Sequence, residues 1–210
     1  MSIKHLSRLP LHWPGKLRNK DCPKQIAYYL NVFPDWSEAF IQRELVALKK
    51  SRIPVMIVAQ TTRECQFFDI QARRLMKETF YLEDVNKKQL QFYVYRTIRR
   101  KPFTLLCMFI YVLLCRPDAR KSATGDRKVF VKALHLAGVL EDHRIDHIHS
   151  PWANHDAFVV LVAAGILKVP YSVQARAYEI YQEKASVGLV EKLRHAAFVI
   201  TNSRSALSDL

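Results

Sequence analysis

From residue 25 onward, short β-branched or aromatic runs alternate with longer helical patterns. Residues 25–31 form a compact apolar-aromatic run, and 54–59 a continuous apolar one, as expected of strands covered on both faces. Between them Phe40, Ile41, Leu45 and Leu48 recur at helical spacing. Asp35 with Glu38 three residues later fits a capping box at that helix's start, with Ser37 as the alternative cap. The succession returns at 144–181, where strand 146–149, an apolar helix to Leu167 and strand 171–174 follow with few linking residues. Strand, helix, strand at this spacing is a βαβ unit, which requires parallel strands and a right-handed crossover.

Between and after these two units the pattern is mostly helical. Periodicity is poor over 61–82, where a helix around 69–80 is the reading. Residues 86–100 show a better helix, with Leu90, Tyr93 and Ile98 on one side, and Pro102 interrupts it. Residues 103–115 are unbroken apolar, flanked by Arg99, Arg100, Lys101 and Arg116. The run is short of the roughly 20 residues that span a bilayer. It reads as a helix buried against the sheet, or as one lying in a membrane interface with its bases on lipid headgroups. An amphipathic helix at 126–141, a helix near 184–195, a strand at 198–201 and a last helix opened by Asn202-Ser203 complete the chain. The fold class is therefore α/β, doubly wound, with a mainly parallel Rossmann-like sheet and helices on both faces.

Composition adds a partner class and a compartment. Of 210 residues half are apolar, enough for a real core in one or at most two domains. The formal charge of +14 points to an anionic partner: nucleic acid, phosphorylated ligand or acidic lipid. No recognisable nucleic-acid module accompanies it, which disfavours nucleic acid. Cys22, Cys65, Cys107 and Cys115 form no Cys-x-x-Cys pair, so reduced cytosolic thiols are the plain reading. Residues 1–24 read as a loose basic leader with Pro10, Pro14 and Pro23 and no apolar core of signal-peptide length, ahead of a single domain over 25–210. The expected location is cytoplasmic, with the inner face of the membrane as an alternative.

In open parallel sheets ligands gather beyond the carboxyl ends of the strands, where loops 150–156 and 175–181 fall. His147, His149 and His155 invite a zinc reading, but neither a Cys nor a convincing third ligand accompanies them, so no metal is expected. Ser37 and Glu38 sit at a helix N-terminus, which either caps itself or receives an anion. Trp152 offers an aromatic face and Asn154 an amide to a sugar, or Trp152 packs under its loop. Arg176, Tyr178 and Glu179 make the most polar loop, in which Arg176 pairs with a phosphate-bearing acceptor or with Glu179. No Walker loop, no Gly-x-Gly-x-x-Gly and no Ser-His-Asp elbow is present.

Several of these segments together resemble a known family. Phe33-Pro34-x-x-Ser37-Glu38-x-Phe40-Ile41-x-x-Glu44-Leu45-x-x-Leu48 is similar to the opening of family 4 glycosyltransferases of the GT-B fold. So, in order, are His147-Ile148-His149, Val169-Pro170-Tyr171-Ser172, Arg176-Ala177-Tyr178-Glu179-Ile180 and Ala197-Phe198-Val199-Ile200-Thr201-Asn202-Ser203. Residues 61–125 match only in general character. The resemblance implies the N-terminal, acceptor-side domain of a retaining enzyme that moves a sugar from a nucleotide-sugar to a hydroxyl of a glycan or lipid-linked acceptor. It also implies that the nucleotide-sugar domain, with its Glu, seven residues, Glu motif, lies outside these 210 residues, in a further or separately encoded domain. No cofactor is expected in this chain, and the chain alone is expected to be inactive. His149 resembles a cleft residue of the family. Arg176-Ala177-Tyr178-Glu179 replaces the His-Ala-x-Asp of many members, and Phe33-Pro34-Asp35-Trp36 replaces their Gly-rich turn, so no catalytic residue is carried over. A reading from another class is a non-catalytic basic α/β module that binds anionic lipid or nucleic acid.

Overall fold

The structure, a computed structural model, describes residues 25–63, 70–115, 123–181 and 188–209. The expected leader 1–24 lies outside the described residues. Six parallel strands make one sheet in the order β3-β2-β1-β4-β5-β6. They are β1 (Ile26–Val32), β2 (Val55–Thr61), β3 (Thr79–Tyr81), β4 (His147–Ser150), β5 (Tyr171–Gln174) and β6 (Phe198–Ile200). The five expected strands are all present and parallel neighbours, and β3 is added at the edge. The fold is α/β, consistent with a Rossmann-like doubly wound arrangement.

Each layer follows from the polarity of its helix. Helix α1 (Ala39–Lys50) puts Ile41 and Leu45 on one face of the sheet, against Tyr28, Leu30 and Ile57. Its last turn carries Lys49 and Lys50, which suit the negative end of the dipole, and Lys49 pairs with Glu78 at the end of α2 (Ile70–Lys77). On the opposite face, α6 (His155–Leu167) is apolar nearly all round and buried nearly all round. It packs on β4 and on α5 (Ala123–Asp142).

The connection from β3 to β4 carries three helices, α3 (Lys87–Arg100), α4 (Pro102–Cys115) and α5. Asn86 caps α3 by accepting from the Lys88 N–H at 3.0 Å. Helix α3 lies close on α5 at Gly138, where an added Cβ would sit 2.5 Å from the Tyr93 Cβ. Arg96 ties the pair, donating to the Gly138 carbonyl at 2.8 Å and pairing with Asp142 at 2.6 Å. Helix α4 does not lie flat on the sheet as the buried reading expects. It rests chiefly on α6, with α3 and α5 beside it, as an outer layer. Leu105, Met108, Tyr111 and Val112 are buried, while Phe103, Leu106 and Phe109 are exposed.

The helix expected over 69–80 ends at Lys77, because Thr79–Tyr81 pair with Ile57, Val58 and Ala59 of β2. The helix expected near 184–195 is α8 (Leu189–Arg194), and 184–187 lie outside the described residues. Helix α7 (Ala177–Tyr181) follows β5, and α9 (Arg204–Ser208) is capped by Ser203 as expected.

Candidate functional site at the carboxyl edge of the sheet

Strand order reverses between β1 and β4, so the crevice of a doubly wound sheet opens between the loops that follow them. Here that crevice is bridged. After β1, Phe33 and Pro34 are buried and Asp35 caps a 3₁₀ turn, Trp36–Glu38. Asp35 Oδ1 accepts from Ser37 N at 2.9 Å and Ser37 Oγ at 2.7 Å, and Arg63 pairs with Oδ2 at 2.9 Å. Ser37 is thus exposed and committed to Asp35. The expected capping box does not close, because the Glu38 side chain leaves its own helix. Its Oε1 accepts from Trp152 Nε1 at 2.9 Å, across the switch point.

Trp152 is consequently half-buried and not an open platform. Its ring meets Phe40 edge-on, with centroids 5.4 Å apart. The Arg176 guanidinium lies 3.7 Å from the Phe40 centroid and 5.2 Å from that of Trp152. Such a cation over aromatic faces is held in place as well as stabilised. Arg176 Nη2 donates to Gln174 Oε1 at 2.6 Å, while its backbone N–H donates to buried Glu179 at 3.1 Å. The expected Arg176–Glu179 pairing therefore runs through the backbone. Asn154 caps α6, accepting from Asp156 N at 2.8 Å, and its carbonyl accepts from buried Lys192 at 3.0 Å. That amide is occupied in shaping the loop. Tyr178 belongs to α7, and its side chain lies outside the described residues.

Beneath this edge a polar stripe crosses strands that are otherwise apolar. His147 Nε2 and His149 Nδ1 each lie 2.7 Å from Ser172 Oγ. Gln174 Nε2 lies 3.2 Å from His149 Nε2 and donates to both Glu44 oxygens, at 2.7 and 2.8 Å. An amide nitrogen only donates, so His149 Nε2 accepts, Nδ1–H donates to Ser172 Oγ, and the Ser172 hydroxyl in turn donates a hydrogen bond to His147 Nε2. Both rings are then neutral. Burial agrees, lowering His147 to about 4 and, together with the repulsion a protonated His147 would exert, His149 to about 3. The 3.9 Å approach of His149 to Glu44 is accordingly no ion pair, since the Gln174 amide stands between them.

Glu44, Gln174, Arg176, Ile200, Thr201 and Asn202 line a cavity of about 260 Å³ at the same edge. Arg176 Nε and Thr201 Oγ1 are buried without a hydrogen-bond partner among the described residues. Of the expected residues, Glu38, Trp152, Arg176, Glu179 and His149 converge here. Ser37 shares the edge but serves Asp35. Glu44, Gln174 and Thr201 went unrecognised as site residues. Only Gln174 left a signal, alternation: Ser172, which pairs with His149 in register, and Gln174 repeat every second residue on a buried strand. His147, His149 and His155 do not gather, and among the described residues no three His, Cys, Asp or Glu side chains are placed to hold a metal.

Glu38 is the site's neutral-pH group. Burial pushes its carboxyl up to about 7; the Trp152 hydrogen bond opposes this, and Asp35 and Asp156 add to it. A folded value above the unfolded one contributes stability below about pH 4.5 that is lost as pH rises through about 7. Glu38→Gln should therefore gain on the wild type by about 1 kcal/mol between pH 5 and pH 8, after allowance for solvent screening. Urea unfolding at the two pH values measures it. Equal differences at both would show that Glu38 does not titrate there.

No protein-family model matches this chain, and a search of curated proteins finds no similar one.

Proposed function

We propose that this chain is the acceptor-side half of a GT-B glycosyltransferase similar to family 4, working on the cytoplasmic side. In the complete enzyme a nucleotide-sugar held by a second domain would donate to a hydroxyl of a glycan or lipid-linked acceptor. One observation carries the reading: residues from three of the separate segments that bear the resemblance, Glu44 of 33–48, Arg176 of 176–180, and Ile200, Thr201 and Asn202 of 197–203, line one cavity at the carboxyl edge of the sheet. The Glu44 carboxylate and Asn202 amide suit sugar hydroxyls, and the Arg176 guanidinium, stacked on Phe40, suits an anionic group on the acceptor.

Only interactions made in the transition state accelerate transfer, and one wall cannot hold both reactants. The 210-residue chain should therefore bind acceptor weakly and transfer nothing. The test incubates it with a panel of nucleotide-sugars and with oligosaccharide and lipid-linked acceptors, alone and with a separately made donor domain. Transfer only with the donor domain, lost in Arg176→Ala, supports the reading. Turnover by the chain alone, above a Glu38→Ala/Arg176→Ala control, overturns it.

A further inference from the structure

Among the described residues, seven of the thirteen exposed large apolar side chains lie on three helices, α3, α4 and α5, which makes them a patch and not the usual scatter. Phe92, Tyr95 and Ile98 repeat every third residue along α3, and Phe103, Leu106 and Phe109 do so along α4. The two stripes are joined through α5. Phe109 meets Phe130 edge-on at 5.3 Å, and the next residue, Val131, lines a cavity of about 480 Å³ with Leu90, Val94, Tyr95 and Ile98.

Charge selects the occupant. Residues 87–115 hold six Lys and Arg and not one Asp or Glu. Arg96 and Lys101 are engaged with Glu141 on α5. Lys87, Lys88, Arg99 and Arg100 are exposed, and along the chain Arg99 and Arg100 fall between the last residue of one apolar stripe, Ile98, and the first of the other, Phe103. A protein partner would need a matching acidic-apolar surface. An anionic bilayer offers both halves at once, headgroups for the bases and acyl chains for the rings. No helix among the described residues is long and apolar enough to cross a membrane, so the contact is interfacial.

We propose that the α3–α4 face docks this domain on anionic lipid bilayers, with Phe103, Leu106 and Phe109 entering the acyl boundary and Arg99 and Arg100 at headgroup level. This stands apart from the sugar-transfer reading and holds also for a non-catalytic module. The edge that faces the sugar site is a different surface, so failure of one leaves the other intact.

Sedimentation with vesicles of phosphatidylcholine alone, or with about three-tenths phosphatidylglycerol, tests it. Binding should need phosphatidylglycerol and weaken as salt rises. Arg99→Gln/Arg100→Gln should weaken it about 25-fold, at about fivefold per base. Phe103→Ser/Leu106→Ser should bind no better than background while keeping the wild-type circular dichroism. Should that variant fail to fold, Leu106→Trp gives a second reading: its emission should shift to the blue on vesicles and be quenched by brominated acyl chains. The proposal is overturned if wild type ignores phosphatidylglycerol vesicles, or if glycerol phosphate in solution competes fully, which would mean a headgroup pocket. It is equally overturned if the serine variant binds vesicles like wild type while losing a self-association that wild type shows by ultracentrifugation.

Discussion

Met108→Asp should yield no folded protein, whereas Leu106→Asp, two residues away on the same helix, should fold like wild type. Met108 is fully buried and sits in the cluster built by α4, α5 and α6, while Leu106 is 55% exposed. An aspartate at 108 must bury a carboxyl with no partner and also leave the volume of the methionine empty. Both terms are unfavourable, and together they cost about 5 kcal/mol or more, comparable with the whole stability of a domain. At 106 the carboxylate remains in water, and surface changes of this kind usually stay within about 0.5 kcal/mol. Solubility and circular dichroism of the two variants decide the matter. If both fold, α4 is not part of the core; if both fail, its outer side is covered too.

The same helix shows how far the sequence could be read. An apolar run flanked by bases is compatible with burial or with an interface, and α4 uses one side for each purpose. Its period is helical, but nearly every position is apolar, so no polar face announced which side would look outward. The strands were more legible, because 54–59 is an apolar run of strand length that only a sheet with both faces covered can use. β3 was not. Thr79–Tyr81 directly follow a helical pattern and exist as a strand only by pairing with β2, more than twenty residues earlier.

The site was legible to a comparable extent. Loops at the carboxyl ends of parallel strands are named by topology, so Glu38, Trp152 and Arg176 could be placed at one edge. What they touch could not. The three-residue spacing of Asp35 and Glu38 imitates a capping box, yet the Trp152 indole N–H, 114 residues away, takes the Glu38 carboxylate. Glu44 looks like any exposed helix position. It becomes a site residue only because Gln174, 130 residues on, donates to it.

Acid should weaken this fold through His147 and His149, by an amount about twice as large once two opposing carboxyls are removed. Both imidazoles are held neutral, at about 4 and about 3. These values lie below the unfolded value of about 6.5, so their contribution is fully present above pH 6.5 and is lost as pH falls toward 4 and 3. Two protons taken up by the unfolded chain and refused by the folded one give about 2.7 kcal/mol per pH unit. Glu38, raised to about 7, runs the other way. So does Asp156, raised to about 6 by burial against the pull of Lys132 and Lys192. Those two carboxyls protonate earlier in the fold than in the unfolded chain, and their gain, with Glu38 partly screened by solvent, offsets about half of the histidine loss between pH 6 and 5. Wild type should accordingly show about half the slope of the histidines alone there. Glu38→Gln/Asp156→Asn should turn it into a loss of about 2 kcal/mol or more per pH unit, and adding His149→Gln should halve that slope. Urea unfolding at pH 7.5, 6.5, 5.5 and 4.5 measures all three. The imidazole carbon-bound protons of both histidines should keep their neutral NMR shifts at pH 5.5. A histidine already titrated there would mean that the Gln174–His149–Ser172–His147 chain does not hold its protons in the stated direction.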